Sequence, residues 1–199
     1  MVAAPTLDRG AAWVLDRLGA VCRPGGAHAK MGTHNRLLRL GPSVYLEVIA
    51  IDPAAPAPGR PRWFGLDALA PDAEPRLTAW VVRTDDLVAA AAASPVPLGP
   101  IEPMARGDLT WRITVPPDGS LPLGGAGPLL IRWESGRHPA DRLPDDGYGL
   151  VRLEVAHPAP ECVAGMLAAT RFTGPVTVAA GAEPRLAAVV ATPHGNRWL

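Results

Sequence analysis

Cysteine is scarce. Cys22 and Cys162 are the only two in 199 residues, with no CxxC spacing, so no disulfide framework is in prospect and both thiols read as reduced and partly buried. No apolar run approaches the roughly 18 residues that cross a bilayer. The opening MVAAPTLDRG lacks a basic stretch leading into an apolar one, which removes the signature of a secretory signal and makes the cytoplasm the expected compartment. Net charge is missing as well. The 19 basic and 19 acidic residues balance, and a nucleic-acid partner would call for a basic face. The sequence has no G-x-S-x-G, P-loop or GxGxxG fingerprint. Gly124-Gly125-Ala126-Gly127 follows a Pro-rich loop and opens no helix, so it is no phosphate loop.

What is present is a core and a repeat. The chain is 48% hydrophobic and 19% charged, which suits a folded domain, and its 24 prolines and 21 glycines fall mainly between periodic segments. Three stretches follow one plan of short apolar strand, Pro or Asp turn, and Ala/Leu-rich helix: residues 2–20, 80–93 and 152–170. In the first, Leu7, Ala11, Val14, Leu15 and Leu18 fall on one helical face, Thr6 or Asp8 can cap, and Gly19 suits the residue past the end. In the second, Thr84 or Asp85 can cap and Pro95 stops the helix. In the third, Pro158 and Pro160 sit at the start. Helices are predicted over 8–19, 85–93 and 159–169. Strands are expected over 35–40 and 44–51, joined by the turn Gly41-Pro42-Ser43, then over 110–115, 129–133, 176–180, 186–191 and 197–199. The units run over 1–70, 71–140 and 141–199, the third ending early. The fold class is α+β.

The residues Gly32–Pro53, GTHNRLLRLGPSVYLEVIAIDP, with PRWFGLD at 61–67 and WVVRTDDL at 80–87, resemble the glyoxalase-like domain proteins. These belong to the vicinal oxygen chelate superfamily, with glyoxalase I, extradiol dioxygenases and bleomycin-resistance proteins. The resemblance implies βαβββ modules whose sheets fold into a cup-shaped half-barrel with helices outside. It also implies a divalent metal held by His and Glu at matching strand positions. Carried over by position, Glu47 matches one ligand, the first histidine position falls before Met1, the second is Ala79, and the last is Arg132. A methyl group and a guanidinium cannot ligate a metal, so the metal site is expected to be lost. If a metal is bound after all, Glu47 and His34 are its ligands.

Strand alternation then populates the cup. With Glu47 inward, Tyr45 and Ile49 join it, as do Asn35, Leu37 and Arg39 from the preceding strand. Ala79, Val81 and Arg83 follow from the second unit, with Leu130 and Arg132. Trp63 and Phe64 serve either as a lid or as a core plug. His34 reads as outward, His28 as part of a flexible loop, and His138, His157 and His194 as surface residues. The expected set is Glu47 as the proton-transfer residue with Asn35, Arg39, Tyr45, Arg83, Arg132 and Trp63 as ligand contacts. Three arginines around one glutamate suit a small anionic metabolite; an internal salt-bridge network is the other reading. A lyase or isomerase step, a non-catalytic sequestering protein and a metal enzyme with rearranged ligands all stay open. No cofactor is expected beyond that divalent metal, nor is a nucleic-acid or membrane partner, and a homodimer is compatible with the pattern.

Overall fold

The computed structural model describes residues 1–136 and 138–199. The fold is α+β, with three mixed sheets and three short α-helices among the described residues.

The first unit comprises β1 (Val2–Ala3), α1 (Leu7–Leu18), β2 (Arg23–His28), β3 (Thr33–Gly41) and β4 (Val44–Ile51). Thr6 caps α1 by accepting the Arg9 N–H, and the helix ends at Gly19, whose φ of 70° is left-handed. The buried stripe of α1 is Gly10, Val14 and Leu18. Leu15, expected on that stripe, is 49% exposed. The helix is rotated toward Gly10 because only glycine lets the backbone reach the sheet there: a Cβ at Gly10 would lie 2.4 Å from Val48 Cγ1. After the helix the chain returns along the far edge. With β5 (Arg76–Leu77), the sheet order is β2-β3-β4-β1-β5, and β1 runs parallel to β4 at Val2–Val48 and Ala3–Ile49.

The second unit has the same connectivity: β6 (Val81–Arg83), α2 (Leu87–Ala92), β7 (Ile101–Arg106), β8 (Leu109–Thr114) and β9 (Leu129–Trp133), ordered β6-β9-β8-β7. Its helix is capped by Asp86, one residue beyond the expected pair, through the Ala89 N–H at 3.0 Å.

The third unit departs from the repeat. It comprises β10 (Gly149–His157), α3 (Pro160–Thr170), β11 (Val176–Ala180), β12 (Arg185–Thr192) and β13 (Gly195–Trp198). Its order is β11-β10-β12-β13, so the strand after the helix docks parallel beside the strand before it instead of crossing to the far edge. A short connection from α3 to β11 closes this as a simple βαβ unit.

The inner faces of the first two sheets meet in one cluster that includes Ile49, Trp63, Trp111 and Ile131. The third sheet packs on the outer faces. Ala188 joins the cluster under α2 and α3, and Val190 joins the one under α1.

Candidate functional site

A cavity of about 560 Å³ opens between the first two sheets. Several elements supply its polar groups. The β3–β4 register sets Leu37 opposite Glu47 and Arg39 opposite Tyr45, so these side chains share the inner face with Asn35. Tyr45 and Glu47 line the cavity. Glu47 is half-buried there. Burial raises its carboxyl above the usual range, while a hydrogen bond from Asn35 and the Arg106 guanidinium pull the other way. Burial also pushes the Tyr45 phenol up, and the Glu47 charge adds to that.

Asn35 fixes this arrangement. It is 2% exposed. Its Oδ1 accepts the Gly26 N–H at 2.9 Å, which orients the amide so that Nδ2 donates to Glu47 Oε1 at 2.5 Å. Gly25 is glycine for the same reason, since a Cβ there would sit 2.0 Å from Asn35 Oδ1.

His28 stands at the end of β2, 4% exposed and wedged edge-on between Trp63 and Trp111 at 5.1 and 6.0 Å. Its Nδ1 lies 3.1 Å from Thr33 Oγ1, which also accepts from Trp63 Nε1 at 3.1 Å. Its Nε2 faces two donors, Arg106 Nη1 at 3.4 Å and Asn35 Nδ2 at 3.5 Å. Two donors aimed at Nε2 require a lone pair there, so the ring is neutral with its proton on Nδ1. Burial, reinforced by Arg106, lowers its pKa to about 3.

The structure brings Glu47, Asn35, Tyr45, Trp63 and Arg83 to or beside this cavity, and leaves Arg39 and Arg132 out of it. Arg83 is exposed at the wall, near His138. Arg39 turns toward Leu143 O at 3.4 Å and Asp145 at 3.8 Å. Arg132 is exposed and outside the lining. The β6–β9 register pairs Arg83 with Ile131, so Ile131 and Trp133 share the inner face and Arg132 shares Leu130's outer one. Ile131 opposite Arg83 corresponds to Ile49 opposite Ala3, so Leu129 stands where Glu47 does; aligning Arg132 there slips by three residues, and an odd slip reverses the face. His34, paired with Ala50, lies on the face opposite Asn35, with Nδ1 3.9 Å from Asp52. It therefore cannot join Glu47 on a metal. Trp63 is both plug and wall: it is 3% exposed, stacks on Phe64 at 4.7 Å and lines the cavity.

Three cavity residues lay outside the expected set. His28 is on a strand, not in a loop. Arg106 ends β7, an element the pattern did not show. His138 lines the cavity beside Tyr45 at 5.4 Å instead of standing on the surface, and burial, then Arg83, lowers its pKa. The Gly25-Gly26 pair was the available signal for His28, because paired glycines in a strand mark a close approach.

Residues 1–170 match the family described as "Glyoxalase-like domain". The chain belongs to the glyoxalase-like domain family. Among curated proteins nothing matches. Among solved structures, a hypothetical protein from Staphylococcus aureus is similar in fold. The identity is 15%, the match covers 92% of this chain and 85% of that chain, and the TM-score is 0.62.

The donor set of this glyoxalase-like chain does not fit the divalent metal that the superfamily resemblance implies. Among the described residues no group of three His, Cys, Asp or Glu side chains converges. His28 and Glu47 are near neighbours through Asn35, but Arg106 places a permanent cation against His28 Nε2, the one lone pair available to a metal.

Proposed function

We propose that this glyoxalase-like protein binds a small anionic metabolite in the cavity, with Glu47 as the group that moves a proton. The reading takes the first two sheets as the walls of a cup. The observation that carries it is the Glu47 carboxyl group facing the same cavity as two guanidinium groups, Arg83 and Arg106. Neither arginine has a carboxylate within 4.0 Å among the described residues. Unpaired guanidiniums at a cavity wall are bidentate donors for a carboxylate or phosphate. A glutamate raised by burial holds its proton more tightly than a free one, which suits a group that gives and takes a proton. Asn35 leaves one Glu47 oxygen for that work by occupying the other. The reaction class that fits is proton transfer beside a carbonyl, of the lyase or isomerase kind.

The test has two readouts. Calorimetric titration with a panel of 2-oxo carboxylates should show binding that Arg106→Gln weakens at least about tenfold. Solvent deuterium should enter the position beside the carbonyl, followed by proton NMR, and Glu47→Gln should stop the exchange without abolishing binding. Binding without exchange would make the protein a sequestering module. No binding would sink the proposal.

A further inference from the structure

The cavity does not end at the polar cluster. It is lined by both faces of two strands: Tyr45 and Glu47 with Leu46 on β4, and Val81 and Arg83 with Val82 on β6, which Trp80 precedes. Side chains on opposite faces of a strand can border one cavity only where it passes round the strand's edge. Both edges are open here. The short β1 covers Val48 and Ile49 of β4, and Met1, bound through its amino group to Ala79 O, stands beside Glu47; that leaves Val44–Leu46 without a strand neighbour on that side, while β6 pairs with β9 alone among the described residues. Beyond the passage the walls are mainly apolar, with Leu46, Trp80, Val82, Leu153, Phe172 and Ala188; exposed Arg171 and Thr173 stand at its border, and the third sheet supplies the far side. The segment Thr170–Val176, between α3 and β11, borders the same space.

We propose that the ligand is amphipathic: an anionic head group at Arg106 and Arg83, joined to an unbranched apolar tail that threads between β4 and β6 into a chamber walled by the third sheet. The inference rests on the proposed anion-binding role of the polar end and adds a second subsite with its own chemistry. An aliphatic tail gains about a tenfold step in affinity for every two methylenes it buries. A small, fully polar metabolite would leave this chamber without a matching partner. The third unit, whose connectivity departs from the repeat, thereby acquires a role in recognition.

Three probes separate the subsites: acetate, octanoate and 1-octanol, titrated into the full chain by calorimetry. Octanoate should bind at least about a hundredfold more tightly than acetate, and octanol should bind measurably. Thr173→Trp on the bordering segment and Ala188→Phe in the chamber wall should each remove most of the octanoate advantage and leave acetate unchanged. Circular dichroism confirms the fold, and the loop variant stands if the core variant misfolds. Equal affinity for acetate and octanoate overturns the chamber and spares the anion site. Octanol binding with no carboxylate binding overturns the anion site and spares the chamber. Binding of neither octanoate nor octanol overturns both.

Discussion

His28 and Arg106 meet where β2 and β7 come together, Nε2 to Nη1 at 3.4 Å, although 78 residues separate them in sequence. The contact joins the first unit to the second at the polar end of the cavity. It also dictates the histidine's protonation, because a proton on Nε2 would face a cation.

That relationship fixes a pH dependence. The folded pKa of His28 is about 3 against an ordinary value of 6.5. Between those values the unfolded chain binds a proton that the folded chain does not, so stability falls as pH drops through this window. Glu47 acts oppositely above its ordinary value, since its folded pKa is raised. The difference between parent and variant isolates the histidine. His28→Gln should flatten the acid loss by up to about one proton, roughly 1.4 kcal/mol per pH unit. Chemical denaturation at a series of pH values checks it, and an unchanged slope would refute the assignment.

Asn35 offers a second handle. Asn35→Leu removes the acceptor for the Gly26 N–H and the donor to Glu47. A loss of about 1–3 kcal/mol is expected for the orphaned groups. The Glu47 carboxyl should titrate higher still, because the hydrogen bond that lowers its pKa is gone. Carbon-detected NMR of the glutamate carboxyl reads the shift, and a downward movement would contradict the network.

The helix supplies a contrast pair. Gly10→Ala forces a Cβ toward Val48 and should cost about 1–3 kcal/mol through overpacking. Leu15→Ala, at an exposed position, should stay within about 0.5 kcal/mol. Equal effects on the denaturation midpoint would show that α1 docks by a different face.

Metal affinity should depend on Arg106. Zinc or manganese added to the parent should bind weakly, with His28 and Glu47 opposed by the guanidinium. Arg106→Glu, supplying a third donor and removing the cation, should raise affinity at least about tenfold. Calorimetry decides, and tight stoichiometric binding by the parent would overturn the misfit argued from its donor set.

Much of this fold was legible in the sequence because its central strands are apolar runs, two of its helices carry side-chain caps and the third begins at Pro160. The misses share a cause. β2 (RPGGAH) and β7 (IEPMAR) are edge strands holding Pro24, Gly25, Gly26 and Pro103. A sheet edge tolerates residues that a strand pattern reads as breakers. Those two strands carry His28 and Arg106, so losing the edges meant losing half the polar site. Glu47, Asn35 and Tyr45 were legible because strand parity survives wherever one strand is read correctly. Arg132 was misplaced because parity has no tolerance for a slip by an odd number of residues.

β12 has a consequence for how the molecule opens. Ala188 and Val190, two residues apart on one face of that strand, are committed to different hydrophobic clusters, one behind each of the first two sheets. Fraying β12 would therefore unclasp both halves at once. Amide hydrogen exchange in the two repeats should be synchronised, with no regime in which one is protected while the other breathes. Two halves share one connectivity, and the third, dissimilar piece is expected to make them unfold as one.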